Sequence, residues 1–137
     1  MRTTILIFLS AFLFSCSCPN KQQKASSAFI EINFGSGGGF TGLSTNYTLR
    51  SSREVFKQSN GELSKINEIS KKEARNISKT LKEIDFYNLK LTEKGNMTYF
   101  IEVKSEGSVN KVSWTDSSQS PEIKEFYKTL VSTLKQK

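Results

Sequence analysis

EINFGSGGGFTGLSTNYTLR, residues 31–50, holds the choice of fold. Within it, Gly37-Gly38-Gly39-Phe40-Thr41-Gly42 matches G-x-G-x-x-G, the spacing by which glycine loops bring backbone N–H groups close to a phosphate. Such a loop needs a strand before it and a helix after it, because the helix N-terminus holds the phosphate. The first condition is met: Ile30, Ile32 and Phe34 alternate with Glu31 and Asn33. The second fails, since Leu43, Thr45, Tyr47 and Leu49 alternate with Ser44, Asn46, Thr48 and Arg50, the period of a strand. No Gly-Lys-Ser/Thr follows, and the chain has none of the other segments of a protein kinase. The stretch therefore reads as strand, glycine-rich connection, strand, and no nucleotide or other cofactor is expected.

Two readings of the connection stay open. One is a flexible or bulged hairpin loop. The other is a recognition loop, in which Gly37, Gly38, Gly39 and Gly42 let backbone approach a partner and Phe40 supplies an aromatic tip.

Further along, Arg50-Ser51-Ser52-Arg53 reads as a turn, residues 54–58 as a short strand, and Asn60-Gly61 as a favoured hairpin dipeptide. Residues 63–69 carry no clean period and are assigned as extended. Ser70-Lys71-Lys72-Glu73 is a capping box, and Ala74, Ile77, Leu81 and Ile84 recur at helical spacing to about Asp85. Phe86, Leu89 and Leu91 are placed to tuck the next loop onto the core. Met97, Tyr99, Ile101 and Val103 share one strand face, with Phe100 on the other among polar neighbours; Val112 and Trp114 follow on a partner strand. Ser120-Pro121-Glu122 opens a last helix with Ile123, Phe126, Tyr127, Leu130, Val131 and Leu134 on its apolar stripe. The order predicts an α+β fold: an antiparallel sheet in β-β-(β)-α-β-β-α order with two helices packed on one face. The other face is left to solvent or a partner, and Phe100 joins the glycines as a candidate binding residue.

Before residue 28 the sequence has another character. One Arg, then ILIFLSAFLF at residues 5–14, then small residues is the layout of a secretory signal. Leu13-Phe14-Ser15-Cys16 resembles the lipobox of bacterial lipoproteins, although Phe14 departs from its stricter form. That resemblance implies cleavage before Cys16 and lipidation of its thiol; the alternative is an ordinary cleaved signal that leaves two thiols. The organisation read here is a lipoprotein signal peptide at 1–15, a flexible tether at 16–27 and one α+β domain at 28–137.

The chain has no histidine, only two aspartates, and both cysteines in the leader, which removes His-based triads, His metal sites and disulfide staples. Ser132 to Lys135 spells S-x-x-K without its companion motifs, so no enzyme activity and no metal site is expected. The formal charge is +7, but lysine outnumbers arginine and no Arg-aromatic cluster suggests nucleic acid. A solvated basic face is one account of this charge; attraction to an anionic membrane beside the anchor is the other. Three N-x-S/T triplets, at Asn46, Asn76 and Asn96, read as chance matches beside a bacterial lipobox.

The lipobox, GGGFTG at 37–42, GNMTYFIE at 95–102 and KVSW at 111–114 together resemble small lipoproteins of Bacteroidota-type bacteria. The resemblance implies a cell-envelope protein, anchored by lipid to the outer membrane on its periplasmic or surface side, and brings no catalytic or ligand residue with it. The expected function is a non-catalytic interaction module meeting a protein or envelope polymer. The alternative is an inhibitor or small-ligand binder that uses the same loop.

Overall fold

Alternation of apolar and polar residues at 31–38 becomes the central strand of the sheet. The computed structural model describes residues 28–39 and 42–135, so Cys16 and Phe40 lie outside the described residues. Strands β1 (Glu31–Gly38), β2 (Ser44–Arg50), β3 (Glu54–Ser59) and β4 (Glu62–Glu68) precede helix α1 (Lys71–Glu83). A 3-10 turn, Phe86–Asn88, leads to β5 (Met97–Ser105), β6 (Ser108–Trp114) and helix α2 (Pro121–Ser132). All strand pairs are antiparallel and the sheet runs β4-β3-β2-β1-β5-β6. The two hairpin halves thus meet at β1 and β5, and the architecture is α+β with both helices on one face.

Register explains which face they cover. Ile32 stands between Leu49 and Val103, and Phe34 between Tyr47 and Ile101. Those residues, with Val55, Val112 and Trp114, form one buried cluster with Ile77 and Leu81 of α1 and Ile123, Phe126 and Leu130 of α2. The opposite parity (Glu31, Asn33, Gly35, Gly37 on β1) faces away from the helices. Phe34, Tyr99, Trp114 and Tyr127 carry the packing toward the glycine end, with Trp114 stacked on Tyr99 at 5.9 Å and edge-on to Tyr127 at 5.3 Å.

Residues 62–68 form a full strand, so four strands rather than two or three precede α1. Their period fails because Val55 pairs with Asn67 and Phe56 with Lys65, leaving Ile66 as an extra residue in a bulge. Asn67 then reaches across to donate to the carbonyls of Thr133 (2.7 Å) and Lys135 (3.0 Å), tying this edge to the end of α2.

The caps differ from one another. At α1 the box forms as expected: Glu73 N–H donates to Ser70 Oγ (3.2 Å) and Ser70 N–H to Glu73 Oε2 (2.7 Å). Ser120 occupies the N-cap of α2 but its side chain makes no cap hydrogen bond, and Pro121 starts the helix by its fixed φ. α1 stops at Glu83 rather than near Asp85, because Asp85 takes a left-handed backbone (φ 49°) that ends the helical hydrogen bonding. Leu43 is a second correction: it lies before β2, 73% exposed, and does not join the inward face.

Candidate functional site

The face that the helices leave open has two unlike halves. Where β1 begins, the side chains satisfy one another. Lys104 Nζ donates to Glu31 Oε1 at 3.0 Å, Arg50 Nε lies 3.9 Å from Glu31 Oε2, and Asn33 Nδ2 donates to both Glu31 (3.1 Å) and Glu102 (3.3 Å). Thr48 Oγ1 completes the row by donating to Asn33 Oδ1 at 2.8 Å. Partial burial alone would push the Glu31 carboxyl up; the hydrogen bonds from Lys104 and Asn33 and the Lys104 and Arg50 charges outweigh it and hold the carboxyl below its ordinary value. The bond to Glu31 likewise raises Lys104 above its ordinary value.

A lowered carboxylate stabilises the fold above its unfolded pKa, and that contribution disappears as pH falls through the folded value. Acidification below the ordinary value of 4.5 should therefore weaken the protein partly through Glu31. Urea midpoints compared above and below that pH should fall less in Glu31→Gln than in the native chain. The difference should be about 1 kcal/mol or less, because the pair is partly solvated. Equal acid sensitivity in the two proteins would contradict this assignment. The raised Lys104 plays no part on the acid side, since its contribution is lost only as pH rises through its own folded value.

Toward the end of β1 the row of charges gives way to a bare floor. Gly35 pairs with Phe100 on one side and Asn46 on the other, and Gly37 with Thr98 and Ser44. Gly35 is closed over by the Thr45 backbone, but without a side chain at Gly37 the face dips into an open groove of about 400 Å³. Gly37, Ser44, Lys94, Thr98, Phe100 and Lys111 line it. Lys111 Nζ stands 5.0 Å from the centroid of the Phe100 ring, in cation–π range. The arrangement presents backbone, hydroxyls, one aromatic face and two ammonium groups to whatever lies along it.

The glycines of the connection have different roles. A Cβ at Gly35 would collide with the backbone carbonyl of Thr45, and one at Gly38 (φ 108°) with that of Asn96. Both positions are fixed by close backbone approach. At Gly37 a Cβ would meet only the Ser44 Cβ at 3.4 Å, so its bareness is not demanded by packing. Gly39 N–H donates to Asn96 O, which fastens the start of the connection to the β5 end of the sheet. Gly42 is brought elsewhere, into a hollow shared with Asn60 and Gly61. Of the candidate residues, Gly37 and Phe100 share the groove, Gly38 and Gly39 adjoin it, and Gly42 does not contribute.

Lys94 and Lys111 were not singled out by the sequence. Lys111 was legible only as the residue before Val112 on an alternating strand, hence on the same face as Phe100; Lys94 comes from a loop with no period. Among the described residues, no group of three or more His, Cys, Asp or Glu side chains could hold a metal ion. No helix of the described residues is long and apolar enough to cross a membrane.

The fold and groove define an α+β domain with one sheet face that no helix of the described residues covers. No protein-family model matches the chain, and comparison with curated proteins returns no similar sequence.

Proposed function

We propose that this chain is a lipid-anchored lipoprotein of the bacterial cell envelope whose domain is a non-catalytic binding module. The observation that carries the binding assignment is the contrast on the open face. One half is closed by its own ion pairs, while the half around Gly37 offers a bare backbone floor beside Phe100, Lys94 and Lys111. An open groove suits an extended partner laid along it, a protein segment or an envelope polymer, better than a small molecule, which needs enclosure on most sides. The two lysines favour acidic groups on that partner. The anchor at Cys16, with attachment to the outer membrane, rests on the lipobox resemblance.

Gly37→Thr tests the groove. The new side chain fills the floor and has room there, so the unfolding midpoint should stay within about 1 kcal/mol of the native value. Capture of envelope material should fall at least about tenfold, equivalent to about 1.4 kcal/mol of lost contact. Undiminished capture by the folded variant would remove the groove from the binding surface. For the anchor, Cys16→Ala should move the protein from the membrane to the aqueous fraction, because the acyl chains supply about 0.8 kcal/mol per buried CH2. Persistence of the variant in the membrane fraction would refute lipidation at this residue.

A further inference from the structure

A second groove, of about 570 Å³, lies on the other side of the molecule between the start of the domain, the β2–β3 turn and α1. Five cations line it: Arg53, Lys71, Arg75, Lys79 and Lys82. Arg53 is committed to Glu68 (3.2 Å) and Lys79 to Glu83 (3.4 Å), the latter an exposed pair that contributes little. Lys71, Arg75 and Lys82 form no ion pair among the described residues, and all three are exposed. Among the described residues, no carboxylate lines the groove.

The chain enters the domain at this groove. Ala28 and Phe29 form part of its wall, and their position is fixed: Tyr87 Oη donates to the Ala28 carbonyl at 2.7 Å and Phe29 is buried in the core. Between Cys16 and Ala28 the chain can span at most about 40 Å. A lipid on Cys16 therefore keeps the domain beside the bilayer, attached through the part of its surface that carries the unpaired cations.

We infer that the α1 groove docks the domain on anionic phospholipid headgroups, so that the opposite sheet face, with the glycine-floored groove, is turned away from the membrane toward its partner. The orientation rests on the Cys16 anchor; headgroup binding rests on the cations themselves. Phosphodiesters at a bilayer surface complement three ammonium or guanidinium groups that have no carboxylate of their own, and the interaction decays within a Debye length of roughly 8 Å.

Lysine acylation of the full chain on vesicles, read by mass spectrometry, decides it. Modification of Lys71, Lys79 and Lys82 should slow at least about fivefold on phosphatidylcholine vesicles containing phosphatidylglycerol relative to phosphatidylcholine alone, the effect of one basic residue at an anionic surface. Lys65 and Lys111, on the opposite sheet face, should react equally on both, and concentrated salt should erase the difference. The triple replacement Lys71→Gln, Arg75→Gln, Lys82→Gln should abolish the protection of Lys79. Equal rates on the two vesicle types, or equal slowing at Lys111, would overturn the inference. So would matching protection by free glycerol phosphate without vesicles, which would make the groove a site for a dissolved phosphate. Loss of the chain from neutral vesicles would count against the anchor alone, because protection by added anionic vesicles is still read on the released chain.

Discussion

Trp114→Ala should lower the unfolding free energy by about 4 kcal/mol, a large part of what holds a domain of this size. The ring is 2% exposed, stacks on Tyr99 and meets Tyr127 edge-on, so it joins β5, β6 and α2 at one point. Truncation leaves a cavity bounded by strand backbone and two other rings, which cannot close it without shifting α2. Urea denaturation followed by circular dichroism is the measurement, since the only tryptophan is lost as a fluorescence probe. Val109→Ala on the same strand, 64% exposed, should change the midpoint by less than about 0.5 kcal/mol. A Trp114→Ala cost below about 1 kcal/mol would mean that the three rings do not form a closed part of the core.

The second large effect is a difference between two glycines on one strand and one face. Gly35→Ala should destabilise by about 3 kcal/mol, because the added methyl meets the Thr45 carbonyl and β2 must move to admit it. Two positions on, Gly37→Ala should be neutral or stabilising by about 0.5 kcal/mol, since alanine restricts the unfolded chain and has room in the folded one. Thermal unfolding of both variants checks the pair. Equal effects would show that the close approach of β1 and β2 at Gly35 is not required. The outcome matters for function, because it separates the glycine that shapes the sheet from the glycine whose bareness leaves the groove open.

Most elements were legible from local pattern. Strict alternation at Ile32 and Phe34, and at Ile101 and Val103, marks strands buried on one face only, and the Ser70–Glu73 box with Ile77 and Leu81 marks α1. β4 was poorly legible because a bulge at Ile66 breaks the period that identifies a strand. The end of α1 was overestimated because nothing in its apolar spacing announces the left-handed Asp85. The capping bond expected of Ser120 is absent although its sequence context is favourable: its backbone (φ −137°, ψ 71°) departs from the extended conformation that Ser70 takes (φ −69°, ψ 160°), and local sequence does not announce that.

The site was less legible than the fold. Phe100 falls out of phase with the apolar face, and that local signal places it on the open side. Its neighbours come from elsewhere in the chain: Lys111 across a strand pair, Ser44 from another strand and Lys94 from a loop. Likewise, the cations of α1 were visible as a basic helix, but not that Ala28 and Phe29 border them.

The sequence by itself determined that a strand, not a helix, follows the glycine stretch, and with it the α+β class and most of the inward residues of four strands and two helices. These are properties of side-chain period, which a chain carries locally. Tertiary structure alone decided that β1 lies between β2 and β5. That placement divides the glycines of FGSGGGFTG into those held by backbone contact and one that leaves a floor bare, and it puts the two grooves on opposite sides. Strand neighbours and register are set by contacts between residues far apart in the chain, and no local pattern records them.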